Sequence, residues 1–372
     1  MTINPFKLER YYAEYEFSAK YMLSSSDCES LTMTELLAMA SPESLQLWQN
    51  LKLGYTETPG HPRLRAEIAR GYAHIKPENV VIAAPEEAIF IAMQTLLNPG
   101  QHVIAIAPAY QSLHEIARSI GCSLSTWDLE PSPDGWSLDL DKLAGSFNSE
   151  TRLLVLNFPH NPTGFIPSRQ QFDDILNLAQ KHGVYVFCDE MYRLLESDPA
   201  LRLPSVCDIY EKGFALSGLS KSYALPGLRI GWLTTQQDQL IRDWLSYKDY
   251  TTICNSAPSE ILAIIAIQNT ERIVNRNLEI IRGNISLAEQ FFAKYPAIAA
   301  WNSPTAGSVA FPKWLGSGSV ETFCQDVLAK QGIMIVPGSI FDQPGGYFRI
   351  GLGRKNFGEI LEHLDEYLGA LT

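Results

Sequence analysis

One lysine of this chain lies in a segment whose composition suits nucleophilic chemistry. Lys221 stands among small and hydroxyl residues in Ser217-Gly-Leu-Ser-Lys-Ser-Tyr-Ala, and Arg229 follows eight residues later. With its ordinary pKa of about 10.4, a lysine amine is protonated and weakly nucleophilic at neutral pH. In a desolvated, partly cationic site it loses its proton and can form a Schiff base. The same segment also fits a serine-capped turn with a solvated lysine, so the other motifs decide between the two interpretations.

Three further motifs lie in order along the chain. They are Asn157-Phe-Pro-His-Asn161-Pro-Thr-Gly, Val184-Tyr-Val-Phe-Cys-Asp189-Glu-Met-Tyr192 and, near the C-terminus, Gly346-Tyr-Phe-Arg349-Ile-Gly. Asp189 closes an apolar strand, where a carboxylate is costly unless it is paired, although a helix N-cap would also suit it. Arg349 has the fork geometry that binds a carboxylate; its alternative is an ion pair at the strand surface. An imine-forming lysine with a phosphate-binding arginine indicates pyridoxal 5′-phosphate (PLP).

With these motifs in order, the chain from about Leu53 to its end resembles the class I/II aminotransferases of PLP fold type I (the aspartate aminotransferase-like superfamily). The resemblance implies that Lys221 binds PLP as an aldimine and carries the proton of the 1,3-shift in transamination. It also implies that Asp189 pairs with the pyridine nitrogen and that Tyr192 hydrogen-bonds the 3′-oxygen of the cofactor. These three residues are the predicted catalytic groups.

The resemblance extends to residues around the cofactor ring and the substrate. Asn161 matches an asparagine that contacts the cofactor 3′-oxygen and borders the substrate, although Asn-Pro-x-Gly alone is a turn. Tyr110 matches the aromatic residue that stacks on the ring, and Arg349 matches the arginine that binds the substrate α-carboxylate. Tyr55 matches a tyrosine that reaches the phosphate of the neighbouring subunit, which implies a homodimer with shared active sites.

The predicted phosphate site departs from the family pattern at two places. Arg229 matches the phosphate arginine by its offset from Lys221. The helix start Ala84-Pro85-Glu86 has a proline where relatives have an amide donor, so the backbone N–H of Glu86 is left to bind phosphate. Gly218 stands where many relatives have a phosphate-binding serine. We expect Ser217 or Ser220 to compensate.

Composition limits the class of protein. The 372 residues favour two domains, and 46% hydrophobic with 19% charged residues is typical of a globular chain. A net charge of −12 without a basic tract argues against nucleic acid as a partner. The six cysteines are scattered singly, which indicates reduced thiols rather than a zinc site or disulfides. Without a signal-peptide pattern or an apolar run of about 18 residues, we expect a cytoplasmic enzyme and no membrane segment.

The order of apolar runs predicts an α/β fold. Strand-like runs near residues 80–83, 102–106, 152–157 and 184–188 alternate with helical stretches, which indicates a mostly parallel sheet covered on both faces. No strand is followed by G-x-G-x-x-G, so a dinucleotide site is not expected. The resemblance implies a seven-stranded sheet in a large domain at 45–256. A smaller α+β domain would combine residues 1–44, predicted to be largely helical, with 257–372.

The motifs leave the reaction open between two types. An aminotransferase would move an amino group from an amino acid to a 2-oxo acid, whereas a lyase or cyclase (C–S β-lyase, aminocyclopropane-carboxylate-synthase-like or capreomycidine-synthase-like) would share every motif above. A PLP-sensing regulator would need a basic DNA-binding domain ahead of these motifs. Candidates for the substrate side-chain pocket are residues 24–27, 247–252 and 301–308. Their aromatics and Asp249 suit a bulky or cationic side chain.

Overall fold

The structure is a computed structural model that describes residues 2–132 and 135–370. In chain order its helices are α1 (Lys7–Tyr15), α2 (Met33–Leu37), α3 (Pro42–Gln49), α4 (Pro62–Ala69), α5 (Pro85–Leu96), α6 (Ser112–Ile120), α7 (Leu140–Ser146), α8 (Arg169–His182), α9 (Val206–Ile209), α10 (Asp238–Lys248), α11 (Ala257–Gln268), α12 (Thr270–Lys294), α13 (Val320–Gln331) and α14 (Phe357–Gly369). Short 3₁₀ turns lie at Pro77–Asn79, Pro199–Leu201, Pro226–Leu228 and Gly338–Phe341.

The strands, again in chain order, are β1 (Tyr21–Met22), β2 (Val80–Ala83), β3 (His102–Ala107), β4 (Ser123–Asp128), β5 (Glu130–Ser132), β6 (Gly135–Ser137), β7 (Thr151–Asn157), β8 (Tyr185–Asp189), β9 (Gly213–Gly218), β10 (Gly231–Thr235), β11 (Ala299–Ala300), β12 (Val309–Ala310), β13 (Lys313–Trp314), β14 (Ile333–Met334), β15 (Val336–Pro337) and β16 (Phe348–Gly351).

Seven strands form the main sheet in the order β2-β10-β9-β8-β7-β3-β4. Strand β10 runs antiparallel to both of its neighbours, and the five strands from β9 to β4 pair in parallel. Apart from the edge strand β4, the strands are almost wholly buried, as expected for continuous apolar runs covered by helices on both faces. The predicted α/β fold with a mostly parallel seven-stranded sheet is confirmed.

Helix ends follow ordinary sequence signals. Helix α8 begins at Ser168, whose hydroxyl accepts the backbone N–H of Gln171 in a capping box, and ends at Gly183 with φ +65°. The chain then enters β8 directly, and β8 ends at Asp189. These signals fix where the strand stops, and therefore where its last carboxylate lies.

The N-terminal forty residues differ from the predicted amphipathic helical stretch. Only α1 and α2 are helical there, and Tyr21–Met22 instead forms β1, which pairs in parallel with Ile333–Met334. Phe17, an aromatic residue of this segment, is 93% exposed. The physical reason is a long-range contact: the backbone groups of β1 find their partners more than 300 residues away.

Three small strands, β12, β16 and β15, form a separate sheet near the C-terminus. The proposed division into residues 45–256 and residues 1–44 with 257–372 stays a prediction, which the β1–β14 pairing supports. Helix α11, placed in the second part, packs against α2, α3 and α4. Residues 1, 133–134 and 371–372 lie outside the described residues. Among the described residues, no helix has the length and apolar character needed to cross a membrane.

Candidate active site

A cavity of about 550 Å³ opens at the carboxyl ends of β8 and β9. Doubly wound sheets bind ligands at this edge, because polar groups at the strand ends meet there. Ten of the predicted site residues line this cavity: Pro85, Glu86, Tyr110, Asn161, Asp189, Tyr192, Ser220, Lys221, Arg229 and Arg349. The fold thus brings together residues that lie as far apart as 85 and 349 in the sequence.

Asp189 is a buried carboxylate without a cationic partner. Its Oδ1 accepts the backbone N–H of Met191 at 3.0 Å, its one hydrogen bond to the side chain among the described residues. Asn157 fixes the neighbouring strand end by donating from Nδ2 to the carbonyl of Asp189 at 3.0 Å. Burial raises the pKa of Asp189 to about 7, and Lys221 lowers it only in part. Such a carboxylate is suited to pair with a cation that a ligand brings.

Lys221 projects into the same cavity from the loop that follows β9. Its Nζ donates to Ser26 Oγ at 2.7 Å and lies 6.0 Å from the ring centre of Tyr192. Burial lowers the pKa of Lys221; Asp27 opposes that shift, and Arg349 adds to it. The loop is anchored by Asn277, which donates to the carbonyl of Ser222 at 3.0 Å. Lys221 is therefore not the solvated lysine that a serine-capped turn would have.

Arg349 is 1% exposed. Its guanidinium donates to Asn161 Oδ1 at 3.2 Å, to the hydroxyl of Tyr12 at 2.8 Å and to the carbonyl of Ser24 at 3.1 Å. Its Nε is buried without a partner, and no described carboxylate pairs with it. The surface ion pair considered as its alternative is absent among the described residues, so this buried cation is available to an anionic ligand.

Two aromatic side chains border the centre of the cavity. Tyr192 is 3% exposed, and its hydroxyl makes no hydrogen bond of ordinary geometry. Burial raises the pKa of Tyr192, while Arg349 and Ser26 lower it in part. The hydroxyl of Tyr110 donates to Glu9 Oε1 at 2.8 Å, which turns its ring along the cavity wall.

The N-terminus of α5 forms one end of the cavity. Ala84 is its N-cap and Pro85 its first residue, a position where the missing N–H would have no partner within the helix anyway. The next amide, that of Glu86, lies in the first turn, where N–H groups point at anions. The Glu86 side chain also lines the cavity and accepts a hydrogen bond from Ser112 Oγ at 3.3 Å. Burial raises the pKa of Glu86 to about 7.

The two departures from the family pattern at this end, Pro85 and Gly218, both border Gly231. Gly218 pairs with Gly231 in the β9–β10 register. A Cβ on Gly218 would lie 3.0 Å from Gly231 Cα, and a Cβ on Gly231 would lie 3.1 Å from Pro85 Cγ. Both distances are tighter than ordinary carbon contacts. The proline at 85 and the glycines at 218 and 231 therefore fit one another, and a serine at 218 would not fit this packing.

Ser217 and Ser220 were equal candidates to replace the missing serine, and the structure separates them. Ser217 faces a different cavity, of about 470 Å³, beside Tyr72 and Trp232. Ser220 lines the main cavity, and its Oγ is buried without a partner. Ser217 belongs to β9, whereas Ser220 lies in the loop after the strand, and this loop brings it to the main cavity.

Three predicted residues, Ala84, Ser217 and Tyr55, do not line the cavity. Tyr55 is 91% exposed. Arg229 does line it, at φ +54°, with its guanidinium donating to the carbonyl of Pro226 at 3.0 Å. Of the three candidate side-chain pockets, residues 24–27 contribute to the cavity lining, and residues 247–252 and 301–308 do not.

One face of α1 is part of the site and was not predicted. Glu9, Tyr12 and Glu16 line the cavity, together with Phe6 and Leu8. The signal that could have identified this face is the i, i+3, i+7 spacing of Glu9, Tyr12 and Glu16, which puts them on one side of a helix. Sequence reasoning instead assigned the aromatic residues of this segment to the core.

The groups in this cavity fit PLP. An amine of lowered pKa can condense with its aldehyde, and an unpaired buried carboxylate can pair with its ring nitrogen. The hydroxyls of Tyr192 and Ser220, which are buried and make no hydrogen bond of ordinary geometry among the described residues, offer donors for the oxygens of its ring and phosphate. The N-terminus of α5 and the guanidinium of Arg229 would bind the phosphate of PLP.

Comparison with known proteins supports the same identification. The model of the family "aminotransferase class I and II" matches residues 20–364. Capreomycidine synthase of Streptomyces vinaceus is 32% identical, over 97% of this chain and 93% of that protein. A probable N-succinyldiaminopimelate aminotransferase of Mycobacterium tuberculosis is 29% identical, over 82% of this chain and 79% of that protein.

The fold of a solved structure agrees with this fold along the whole chain. The PLP-dependent aminotransferase from Streptococcus suis superposes with a TM-score of 0.93 at 31% identity, covering 100% of this chain and 99% of that one. The family match and the relatives agree with the presence of Lys221, Asp189 and Arg349 in one cavity. The chain belongs to the class I and II aminotransferases, the PLP-dependent enzymes of fold type I.

Proposed function

We propose that this enzyme is an aminotransferase that moves the amino group of an amino acid to a 2-oxo acid such as 2-oxoglutarate or pyruvate. One observation carries the proposal: a single cavity holds the amine of Lys221, the unpaired carboxylate of Asp189 and the unpaired guanidinium of Arg349. When bound, PLP supplies an aldehyde that condenses with amines and a ring that accepts electrons from the substrate Cα.

The proposed catalytic roles follow from burial and charge. Lys221 holds the cofactor and, once the substrate amine has replaced it, carries a proton between the substrate Cα and cofactor C4′. Its lowered pKa favours the neutral amine that this proton transfer needs. Asp189 would keep the ring nitrogen of PLP protonated, because no cation forms an ion pair with its buried carboxylate among the described residues. Arg349 would bind the substrate α-carboxylate through charge-assisted hydrogen bonds, for which its Nε has no other partner among the described residues.

The remaining contacts position the cofactor. Tyr192 and Asn161 would hydrogen-bond the ring oxygen, and Tyr110 would cover one face of the ring. Ser220 Oγ, the Glu86 backbone N–H and Arg229 would hold the phosphate. Asn161 already accepts a hydrogen bond from Arg349, so it also links the cofactor side of the cavity to the substrate side.

We further propose a homodimer with shared active sites. Leu53, Tyr55, Tyr250 and Ile253 are exposed by 85%, 91%, 91% and 50%. Their two loops are joined by Thr56, whose hydroxyl donates to the carbonyl of Asn255 at 3.3 Å. Exposed apolar residues in one patch mark an interaction surface, and a second copy would bring Tyr55 to its active site. A cytoplasmic location stays a prediction, supported by six cysteines without disulfides.

A lyase or cyclase remains the second candidate. The observation in its favour is the 32% identity to capreomycidine synthase over nearly the full length of both chains. Binding of the amino acid and removal of its Cα proton would use the same residues in either reaction. The difference arises afterwards, when a leaving group or an internal nucleophile of the substrate is handled.

The test is absorbance spectroscopy of the PLP-loaded protein, challenged with single amino acids and no oxo acid. An aminotransferase should lose the band of lysine-bound PLP and gain the band of pyridoxamine phosphate, which an added 2-oxo acid reverses. A lyase or cyclase should return to the original band and release ammonia, a thiol or a cyclised product.

Two variants make this test specific. Lys221→Ala should abolish the lysine-bound band, whereas Lys181→Ala, at an exposed position of α8, should leave it unchanged. Conversion of the cofactor at the wild-type rate by Lys221→Ala would contradict the proposal.

A further inference from the structure

Helix α1 presents an acidic face to the active-site cavity. Glu9, Tyr12 and Glu16 are spaced i, i+3, i+7, and all three line the cavity. Glu16 follows the last helical residue in αR conformation, so it continues this face. Tyr12 accepts a hydrogen bond from Arg349 at 2.8 Å. The carboxylate of Glu16 therefore starts one helical turn from the residue that touches the carboxylate-binding arginine.

The negative charge of this face is not neutralised within the described chain. Glu9 accepts a hydrogen bond from the hydroxyl of Tyr110, which carries no charge. The carboxylate of Glu16 is exposed to solvent and makes no hydrogen bond or ion pair among residues 2–132 and 135–370. Asp27, the third carboxylate at this mouth, pairs with Arg354 at 2.8 Å. Partial burial raises the pKa of Glu16, as do the charges of Asp27 and Glu9, while Arg354 and Lys221 lower it in part.

An independent observation at the other end of the cavity points to a ligand. Arg349 is 1% exposed, and its Nε has no partner. A buried cation of this kind requires an anion, which the α-carboxylate of an amino acid provides. A substrate anchored there would extend its side chain past Tyr12 towards Glu9 and Glu16. Unpaired carboxylates on that path repel an acidic side chain and attract a basic one.

Resting on the proposed function, we propose that the amino-acid substrate carries a positive charge at the end of its side chain, and that Glu16, assisted by Glu9, recognises it. This places the specificity determinant on the N-terminal helix of the same chain. The expectation of a cationic side chain therefore rests on Glu16 and Glu9 rather than on Asp249, which does not line the cavity.

The experiment compares amino acids of nearly equal shape and different charge. Arginine is paired with citrulline and lysine with norleucine, and kcat/KM is measured from the cofactor absorbance of the PLP-loaded enzyme. The cationic member of each pair should react about tenfold faster or more, since a hydrogen bond to a charged group contributes about that factor. Glu16→Gln should remove most of this ratio and leave citrulline and norleucine unchanged.

Glu14→Gln is the matched control, because Glu14 lies on α1 but does not line the cavity. It should change neither member of either pair. Equal reaction of arginine and citrulline in the wild type, or an unchanged ratio in Glu16→Gln, would overturn the inference.

A second measurement distinguishes failure of the proposed charge recognition from failure of the proposed transamination. Thermal stabilisation of the PLP-loaded protein by the same four amino acids reports binding without turnover. If arginine and lysine stabilise the protein in a Glu16-dependent way but are eliminated or cyclised, the charge recognition stands and transamination fails. If neutral amino acids are transaminated as well as cationic ones, transamination stands and the charge recognition fails.

Discussion

The buried guanidinium of Arg349 is held by the hydroxyl of Tyr12, with 2.8 Å between Nη2 and Oη. The same hydroxyl donates to the carbonyl of Ser24 at 2.7 Å. Arg349 belongs to β16 near the C-terminus and Tyr12 to the first helix, so one hydrogen bond joins the proposed substrate anchor to the beginning of the chain.

Tyr12→Phe should weaken substrate binding more than it slows chemistry. The change removes the acceptor for a buried charged donor, and the aromatic contact with Arg349 is kept. We expect KM for the amino acid to rise about tenfold, with kcat nearly unchanged. Tyr15→Phe, at the C-terminal end of α1 and outside the cavity lining, is the control. Steady-state kinetics with an equal KM in both variants would contradict the positioning role of Tyr12.

Ser220→Ala should weaken PLP binding, because its partnerless hydroxyl lies on the cavity and is proposed to bind phosphate. The expected loss is about tenfold in the dissociation constant, measured by titrating PLP-free protein and following tryptophan fluorescence. Ser217→Ala removes an equally buried hydroxyl that faces a different cavity and should leave the affinity unchanged. The reverse order of the two effects would show that the phosphate lies elsewhere.

Gly218→Ser, which restores the residue common among relatives, should destabilise this protein. The new Cβ would meet Gly231 Cα at 3.0 Å and Ile230 O at 3.1 Å, and both belong to backbone that cannot move freely. The free energy of unfolding should fall by about 1 to 3 kcal/mol in urea denaturation. Gly227→Ser, at a position with no heavy atom within 4 Å of the added Cβ, should change stability far less.

The PLP-free protein should lose stability as the pH rises from about 4 to about 7. Burial raises the pKa of Asp189 from 3.8 to about 7, so in this window the folded state holds a proton that the unfolded chain has released. Stability falls with pH wherever the folded state binds more protons. Asp189→Asn should reduce this loss by roughly 2 to 4 kcal/mol between pH 4 and 8. Urea denaturation at several pH values measures the free energy of unfolding of both proteins. If it varied with pH in the same way in both, the pKa of Asp189 would not be raised.

The main sheet could be predicted because its strands are short, continuous apolar runs. The predicted runs near 80, 102, 152 and 184 correspond to β2, β3, β7 and β8, with ends that agree to within one residue. Lys221, Asp189 and Arg349 could be predicted as one site because each belongs to a motif of a known family. Ser217 and Ser220 could not be separated from the sequence, because Ser220 lies in the loop after β9, where the strand period that orients Ser217 no longer applies.

The acidic face of α1 could not be predicted in the same way. Glu9 and Glu16 belong to no family motif, and a solvent-facing helix has the same pattern. They border the active site only because β1 pairs with β14 and fixes the N-terminal segment against the C-terminal strands. Local sequence patterns do not encode a contact between Tyr21 and Ile333, so this part of the site required the structure.

The pairing of β1 with β14 also sets the order in which the site is completed on the ribosome. The N-terminal helix is synthesised first, yet Tyr21 has no strand partner until Ile333 has left the exit tunnel. The backbone N–H of Gly351 binds the carbonyl of Leu23, and Arg354 binds Asp27, so the segment that follows α1 gains part of its partners from the last tenth of the chain. Glu9 can meet Tyr110 much earlier, whereas the strand pairing that fixes this segment forms late, and a nascent chain released before it would contain Lys221 beside an incompletely held substrate-binding wall.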